Sequence, residues 1–177
     1  NPDGTGRDVG MPESAREAIL EKARLQWIDG PTEIGQGLWC TGAIPRTNDY
    51  EDTGGAFFRD EACREPDELP DDQALFIDTP AGIVAILGCA HAGVINTLHY
   101  VRSLTANRPI HAVLGGMHLL QASPMRMERT VAELRRLGVK RLMPCHCTGF
   151  AAKARLWREF PDCYEEIRVG TIVAFEV

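Results

Sequence analysis

The chain has 177 residues, of which 44% are hydrophobic and 25% are charged, so one globular domain of ordinary composition is expected. No apolar run approaches the roughly 20 residues of a membrane-spanning helix, and no basic and apolar leader is present, so we expect a cytoplasmic protein that does not bind membranes. The formal net charge of -6 argues against nucleic acid as a partner.

The N-terminal part of the chain predicts one helix and one short strand. Residues 1–12 are predicted to form a loop, and residues 13–27 an amphipathic helix that ends at the Gly-Pro pair 30–31. Residues 37–41 are predicted to form a strand. The first 33 residues are therefore expected to be loop and helix only.

A long irregular segment, residues 42–72, follows the first predicted strand. Its part from Asp49 to Asp72 holds ten acidic and two basic residues and the aromatic pair Phe57-Phe58. Loops of this length are either functional or solvated insertions. The sequence leaves open whether this one is a lid over a site or a solvated acidic insertion.

From residue 73 the chain alternates regularly between strands and helices. This order predicts an α/β fold in which helices cover a sheet. The predicted elements are strands 74–79 and 83–87, helix 94–104, strand 110–114, helix 124–137, strand 141–144, a helix to about residue 160, and strand 168–175.

Three histidines, His91, His118 and His146, share one position in this pattern. Each follows an apolar strand, in a loop that contains glycine, before the next helix. Loops beyond the carboxyl ends of strands converge on one crevice in α/β folds. Imidazole is a good ligand for zinc and similar metals, so this arrangement predicts a metal site or an acid–base site. His99, within a helix, and His111, near the start of a strand, are predicted to be structural.

The six cysteines form no CxxC pair, so free thiols in a reducing compartment are expected. If the strand before His146 continues, Cys145 and Cys147 point to the side opposite His146, which argues against a Cys-His-Cys chelate. They are then expected in the core or around the site. A nucleophilic Cys89 or Cys145 defines a thiol-dependent alternative, which predicts inactivation by alkylation without metal.

Charge is distributed unevenly along the chain. Residues 1–99 carry 7 basic and 18 acidic side chains, whereas residues 100–177 carry 12 basic and 7 acidic ones. A small anionic substrate would therefore be attracted to the second part. The helix that starts after His91 would also favour a phosphate or carboxylate at its N-terminus. The alternative is that these charges form only complementary solvated surfaces.

Four short segments and their order along the chain resemble the metallo-β-lactamase superfamily. The resemblance runs from about Ile34 to the C-terminus. The similarity is to the branch often labelled 7,8-dihydropterin-6-methyl-4-(β-D-ribofuranosyl)-aminobenzene-5'-phosphate synthase. The segments are TGAIPR at 41–46, GCAHAGVINT at 88–97, GGMHL at 115–119 and PCHCTG at 144–149.

This resemblance implies an αββα sandwich with one or two divalent metal ions, zinc first and manganese or iron next, at one edge of its sheets. His91 and His146 match the metal ligands of the superfamily. His118 stands after the strand where many relatives have a metal-bridging Asp, and is expected to be a ligand or a catalytic proton-transfer residue. Arg46, Gly93 and Thr148 are the candidate substrate contacts.

The superfamily's early His-x-His-x-Asp-His motif is not found in these 177 residues. The resemblance thus implies a single partial domain, the C-terminal half of the sandwich, with residues 34–72 as strand plus acidic insertion and 73–177 as core. We expect a metal-dependent hydrolase or related transferase that needs an N-terminal half from the same or a separate chain, with homo-oligomerisation as a further option. The rival hypothesis is a metal-free interaction domain of the same fold.

Overall fold

A six-stranded mixed sheet organises the computed structural model, which describes residues 6–176. The strands lie side by side in chain order. The first four pair antiparallel, and β4, β5 and β6 pair parallel. The strands are β1 Thr32–Gly35, β2 Leu38–Cys40, β3 Ala74–Thr79, β4 Gly82–Leu87, β5 Ile110–Gly116 and β6 Arg141–Cys145.

The helices that connect the parallel strands cover one face of this sheet. Helices α2 and α3 are the crossovers from β4 to β5 and from β5 to β6, as parallel pairing requires. A 3-10 turn and α4 follow β6. The helical elements in the described residues are α1 Glu13–Lys22, α2 Val94–Leu104, α3 Pro124–Leu137, the 3-10 turn His146–Thr148 and α4 Phe150–Glu159.

The period-two alternation of β4 separates two apolar clusters. Ile83 and Ala85 face the main core, where they pack with the buried sides of α2, α3 and α4. Val84 faces the other way, into a smaller cluster with Ala112 and Met143. Within the described residues the fold is thus one sheet with one covering helical layer and a second apolar face. The predicted α/β class is confirmed.

The prediction of α3 was correct because typical capping residues mark both ends of this helix. The Ser123 hydroxyl accepts a hydrogen bond from the Arg126 N–H (3.1 Å), and Pro124 occupies the first helical position. Gly138 ends the helix with a left-handed φ of 65°. The prediction of α2 over residues 94–104 was also correct.

Three predictions of secondary structure were wrong. The first helix ends at Lys22 rather than at residue 27, and it has no buried residue, so no packing extends it. Strand β1, Thr32–Gly35, was missed because it is a short edge strand with little burial. Residues 168–175 form no strand. Val173 and Phe175 instead pack against the smaller apolar cluster on the sheet face.

The edge of β6 explains the last of these errors. Leu142 donates its N–H to the Cys163 carbonyl (2.8 Å) and accepts from the Glu165 N–H (2.9 Å). The segment directly after α4 therefore occupies the edge that an added strand would need. The C-terminal residues bury their apolar side chains on the face instead.

No helix among the described residues is both long enough and apolar enough to cross a membrane.

Candidate metal centre

The three predicted histidines follow the carboxyl ends of the three parallel strands. His91 comes four residues after β4 ends, His118 two residues after β5 ends, and His146 directly after β6. Ala90, His118 and His146 have left-handed backbones, with φ of 57°, 45° and 49°. Such conformations are unfavourable for residues other than glycine and cluster at functional sites. They let the chain turn sharply off each strand toward one place.

His91 and His118 meet there, together with Cys89. The two imidazole rings lie 4.2 Å apart between centroids. The nearest donor atoms of these two histidines and the Cys89 sulfur all lie within 4.8 Å of one another. The His118 Nδ1 is buried and has no hydrogen-bond partner among the described residues. An unpaired buried nitrogen is costly unless it binds something.

The tautomer of the His91 ring is set by a hydrogen bond. Its Nδ1 lies 2.8 Å from the carbonyl oxygen of Thr53. Because a carbonyl can only accept, Nδ1 carries the proton, and Nε2 of the neutral ring keeps its lone pair. This arrangement is the usual one for histidines that bind metals, whose second nitrogen donates to a protein oxygen.

A second group of donors shares Cys89 with the first. It consists of Cys89, His146 and Cys147, again with one donor atom each and all within 4.8 Å. The His146 Nε2 lies 3.2 Å from the Cys89 sulfur, and the Cys147 thiol donates to the Cys89 carbonyl (3.4 Å).

The prediction that Cys147 lies opposite His146 held only for a strand that continues to Cys147, and that condition is not met. The alternation of side chains ends with β6 at Cys145, where the 3-10 turn begins. Cys145 belongs to neither group of donors.

These donors fit a divalent ion. Two ligands of one tetrahedral zinc lie about 3.3–3.8 Å apart, given Zn–N and Zn–S bonds of about 2.0–2.3 Å. The donors of each group are at most 4.8 Å apart, so small side-chain rotations suffice. One oriented imidazole, one buried unpaired nitrogen and thiol sulfur form a donor set that suits zinc.

Burial shifts the pKa values of three side chains in and beside the centre. Burial, followed by the neighbouring His91, lowers the pKa of His118, which keeps its imidazole neutral and able to bind. Burial raises the pKa of Cys147 to about 11 and also raises that of Cys145. A catalytic thiol needs a lowered pKa, so Cys145 is a poor nucleophile.

The acidic segment, residues 49–72, passes over this centre. Glu51 is 8% exposed, and its carboxylate accepts hydrogen bonds from the N–H groups of Ile95 and Asn96 (2.9 and 2.8 Å) at the start of α2. The N-terminus of α2 is therefore occupied by a carboxylate of the chain itself. The sequence-based expectation that it would hold an anionic group of a substrate does not match this contact.

The three residues predicted to contact substrate make internal contacts. Arg46 donates to the backbone carbonyls of Glu68 and His91 (2.7 and 2.8 Å). Gly93 has φ 101°, and a Cβ there would overlap the Glu51 carboxylate. The buried Thr148 hydroxyl donates to the Cys145 carbonyl (2.7 Å) and accepts from the Met117 N–H (3.2 Å). All three shape the loops of the centre.

A cleft of about 490 Å³ adjoins the centre at Cys89 and His91. Its wall includes the aromatic ring of Phe57, which packs edge-on against His91 with centroids 5.2 Å apart. Asp71 and Asp72 also line it. These carboxylates would repel an anionic group on this side of the centre.

Sequence reasoning assigned two of the participants other roles or none. It argued against Cys147 as a ligand, and it considered Cys89 only as a nucleophile, whereas the structure places both sulfurs within reach of a shared ion. The segment 51–54 offered no signal except its place within a long loop. His99 behaves as predicted, since its Nε2 lies 3.1 Å from Glu133 on the neighbouring helix.

Comparison with known proteins defines the class. The structure matches the solved structure of Tm1679, described as a metal-dependent hydrolase of the β-lactamase superfamily, with a TM-score of 0.78 and 30% sequence identity. The match covers 92% of this chain and 63% of that one. The chain thus has the fold of the metallo-β-lactamase superfamily over the part that it spans, as the sequence motifs implied.

Two relatives from Methanocaldococcus jannaschii narrow the branch. The chain is 33% identical over 162 residues to 7,8-dihydropterin-6-methyl-4-(β-D-ribofuranosyl)-aminobenzene-5'-phosphate synthase, and 35% identical over 150 residues to an uncharacterised protein. These matches cover 88% and 85% of the chain. The chain spans about half the length of both relatives, 55% of each. No protein-family model matches it.

Proposed function

We propose that this chain carries part of the metal centre of a hydrolase or related transferase with the metallo-β-lactamase fold. The observation that supports this most directly is the grouping of Cys89, His91 and His118 donors within 4.8 Å. The proton position on His91 and the unpaired Nδ1 of His118 add to it, because both leave nitrogen lone pairs free for a cation. His146 extends the centre through Cys89.

Each residue has a chemical role in this proposal. His91 and His146 are ligands, and His118 is a ligand or a substrate-side residue that transfers a proton during the reaction. A bound divalent ion would lower the pKa of a bound water to about 7 and polarise a substrate oxygen. Zinc is the proposed ion, with manganese or iron as alternatives.

The proposed substrate is a small phosphorylated, pterin-like or other anionic molecule. The name of the synthase relative and the basic character of residues 100–177 support this class. The carboxylates of Asp71 and Asp72 favour placing the anionic group away from their cleft. We also propose that activity requires the part of the relatives' fold that lies outside this chain, which would supply the remaining ligands.

Metal titration tests the centre. Zinc binding to the purified protein, completed by the part of the fold that lies outside this chain, should weaken about 10-fold or more in His91→Ala and in His146→Ala, because each loses a ligand. His111→Ala is the matched control, since His111 lies near the opposite end of β5 and should leave affinity unchanged. Calorimetry would provide the affinities, and thermal unfolding would show that each variant is folded.

Unchanged metal affinity in both ligand variants would contradict the proposal. A protein that includes the remaining part of the fold and still has no metal affinity would favour the metal-free interaction domain. Inactivation by alkylation of Cys89 in the absence of metal would favour the thiol-dependent alternative.

A further inference from the structure

A buried arginine lies beneath the acidic segment. Arg126, in the first turn of α3, is 1% exposed. Its Nη1 lies 2.5 Å from the Oδ1 of Asp52, whereas its Nε and Nη2 have no hydrogen-bond partner among the described residues. A buried guanidinium is costly without a counter-charge, so this pair favours keeping Asp52 against α3, although the Asp52 side chain itself is 72% exposed.

Asp52 uses the same oxygen to shape the backbone that follows it. Its Oδ1 accepts a hydrogen bond from the Gly54 N–H at 2.7 Å. The carboxylate thus closes a local turn at residues 52–54 and attaches that turn to Arg126. We name residues 52–54 the strap.

The strap contacts both histidines of the centre. The Thr53 carbonyl accepts a hydrogen bond from His91 Nδ1, and the Gly54 backbone packs against the His118 ring so closely that a Cβ would overlap it. The position of this short turn therefore decides where both rings point.

We propose that Asp52 and Arg126 are positioning residues that hold the strap, and through it fix the tautomer of His91 and the ring orientation of His118. The inference rests on the proposed function, in which these histidines bind metal. Neither Asp52 nor Arg126 touches the ion in this scheme. Groups that orient metal ligands typically change metal affinity about 10–100-fold when they are removed.

Asp52→Ala tests the proposal, with Asp49→Ala as the matched control. Asp49 lies on the same segment and pairs with Arg129, on the same helix, at 2.8 Å, but it contacts neither histidine. Zinc affinity is expected to fall at least 10-fold in Asp52→Ala and less than 2-fold in Asp49→Ala. Asp52→Asn, which keeps the acceptor oxygen, should lose less affinity and remains informative if the alanine variant unfolds.

A second readout does not depend on metal. The ¹⁵N shifts of the imidazole nitrogens in the metal-free protein should show His91 protonated at Nδ1 in the wild type and in Asp49→Ala. Asp52→Ala should show a mixture of tautomers.

Wild-type metal affinity together with an unchanged tautomer in folded Asp52→Ala would overturn the proposal. Equal losses in Asp52→Ala and Asp49→Ala would also overturn it. If the wild type binds no metal, the proposed function fails, while the tautomer measurement still decides the role of the strap.

Discussion

Replacing Glu51 by alanine is expected to lower the free energy of unfolding by about 3 kcal/mol, because two N–H groups at the start of α2 would lose a buried carboxylate. The Asn48 side chain, which donates to the same carboxylate at 2.8 Å, would lose its partner too. In a domain of this size the loss corresponds to a melting temperature lower by about 6–12 °C. Denaturant titration and calorimetry would measure both quantities.

Two variants serve as controls for Glu51. Glu51→Gln keeps an acceptor oxygen and should cost less than alanine. Glu13→Ala removes an exposed acid from α1, where its pair with Arg16 is solvated, and should change stability by less than about 0.5 kcal/mol. If Glu51→Ala were as mild as Glu13→Ala, the capping role of Glu51 would be refuted.

Replacing Gly54 by alanine is expected to weaken metal binding by about 10–100-fold, a range typical of disturbed support around a ligand. The new methyl group would overlap the His118 ring, so either the ring or the strap must move. Competition with a chelating dye would measure the affinity across this range.

Gly37→Ala separates this clash from backbone strain. Gly37 has a similar left-handed backbone, φ 70° against 79° for Gly54, but a Cβ there meets nothing within 4 Å. Both variants should lose about 1 kcal/mol of stability from the left-handed conformation. Only Gly54→Ala should lose metal affinity, and an equal loss in both would show that strain rather than contact governs the centre.

The layered core and the meeting of the histidines could be predicted from sequence because both follow from local rules. Short apolar runs marked β3 to β6, and the Ser-Pro start and Gly end marked α3. Once the order of strands and helices was known, parallel pairing brought His91 and His118 to the same edge of the sheet.

The contacts that complete the site could not be predicted. Glu51 reaches α2 across 44 positions of the chain, and Asp52 reaches Arg126 across 74. No periodicity connects such distant residues, and the charged composition of the segment suggested solvation as readily as burial. The position of Cys147 depended on the 3-10 turn that follows β6, which ends the alternation of side chains before Cys147.

The left-handed backbones at Ala90, His118 and His146 impose a trade-off between folding stability and the chemistry of the site. Each costs on the order of 1–3 kcal/mol, which glycine at the same positions would largely remove. A stabilisation programme that scored foldability alone would therefore select glycine at 118 and 146 and discard two imidazoles. Engineering for heat resistance should leave these turns untouched and instead improve surfaces far from the parallel strand ends, such as exposed α1.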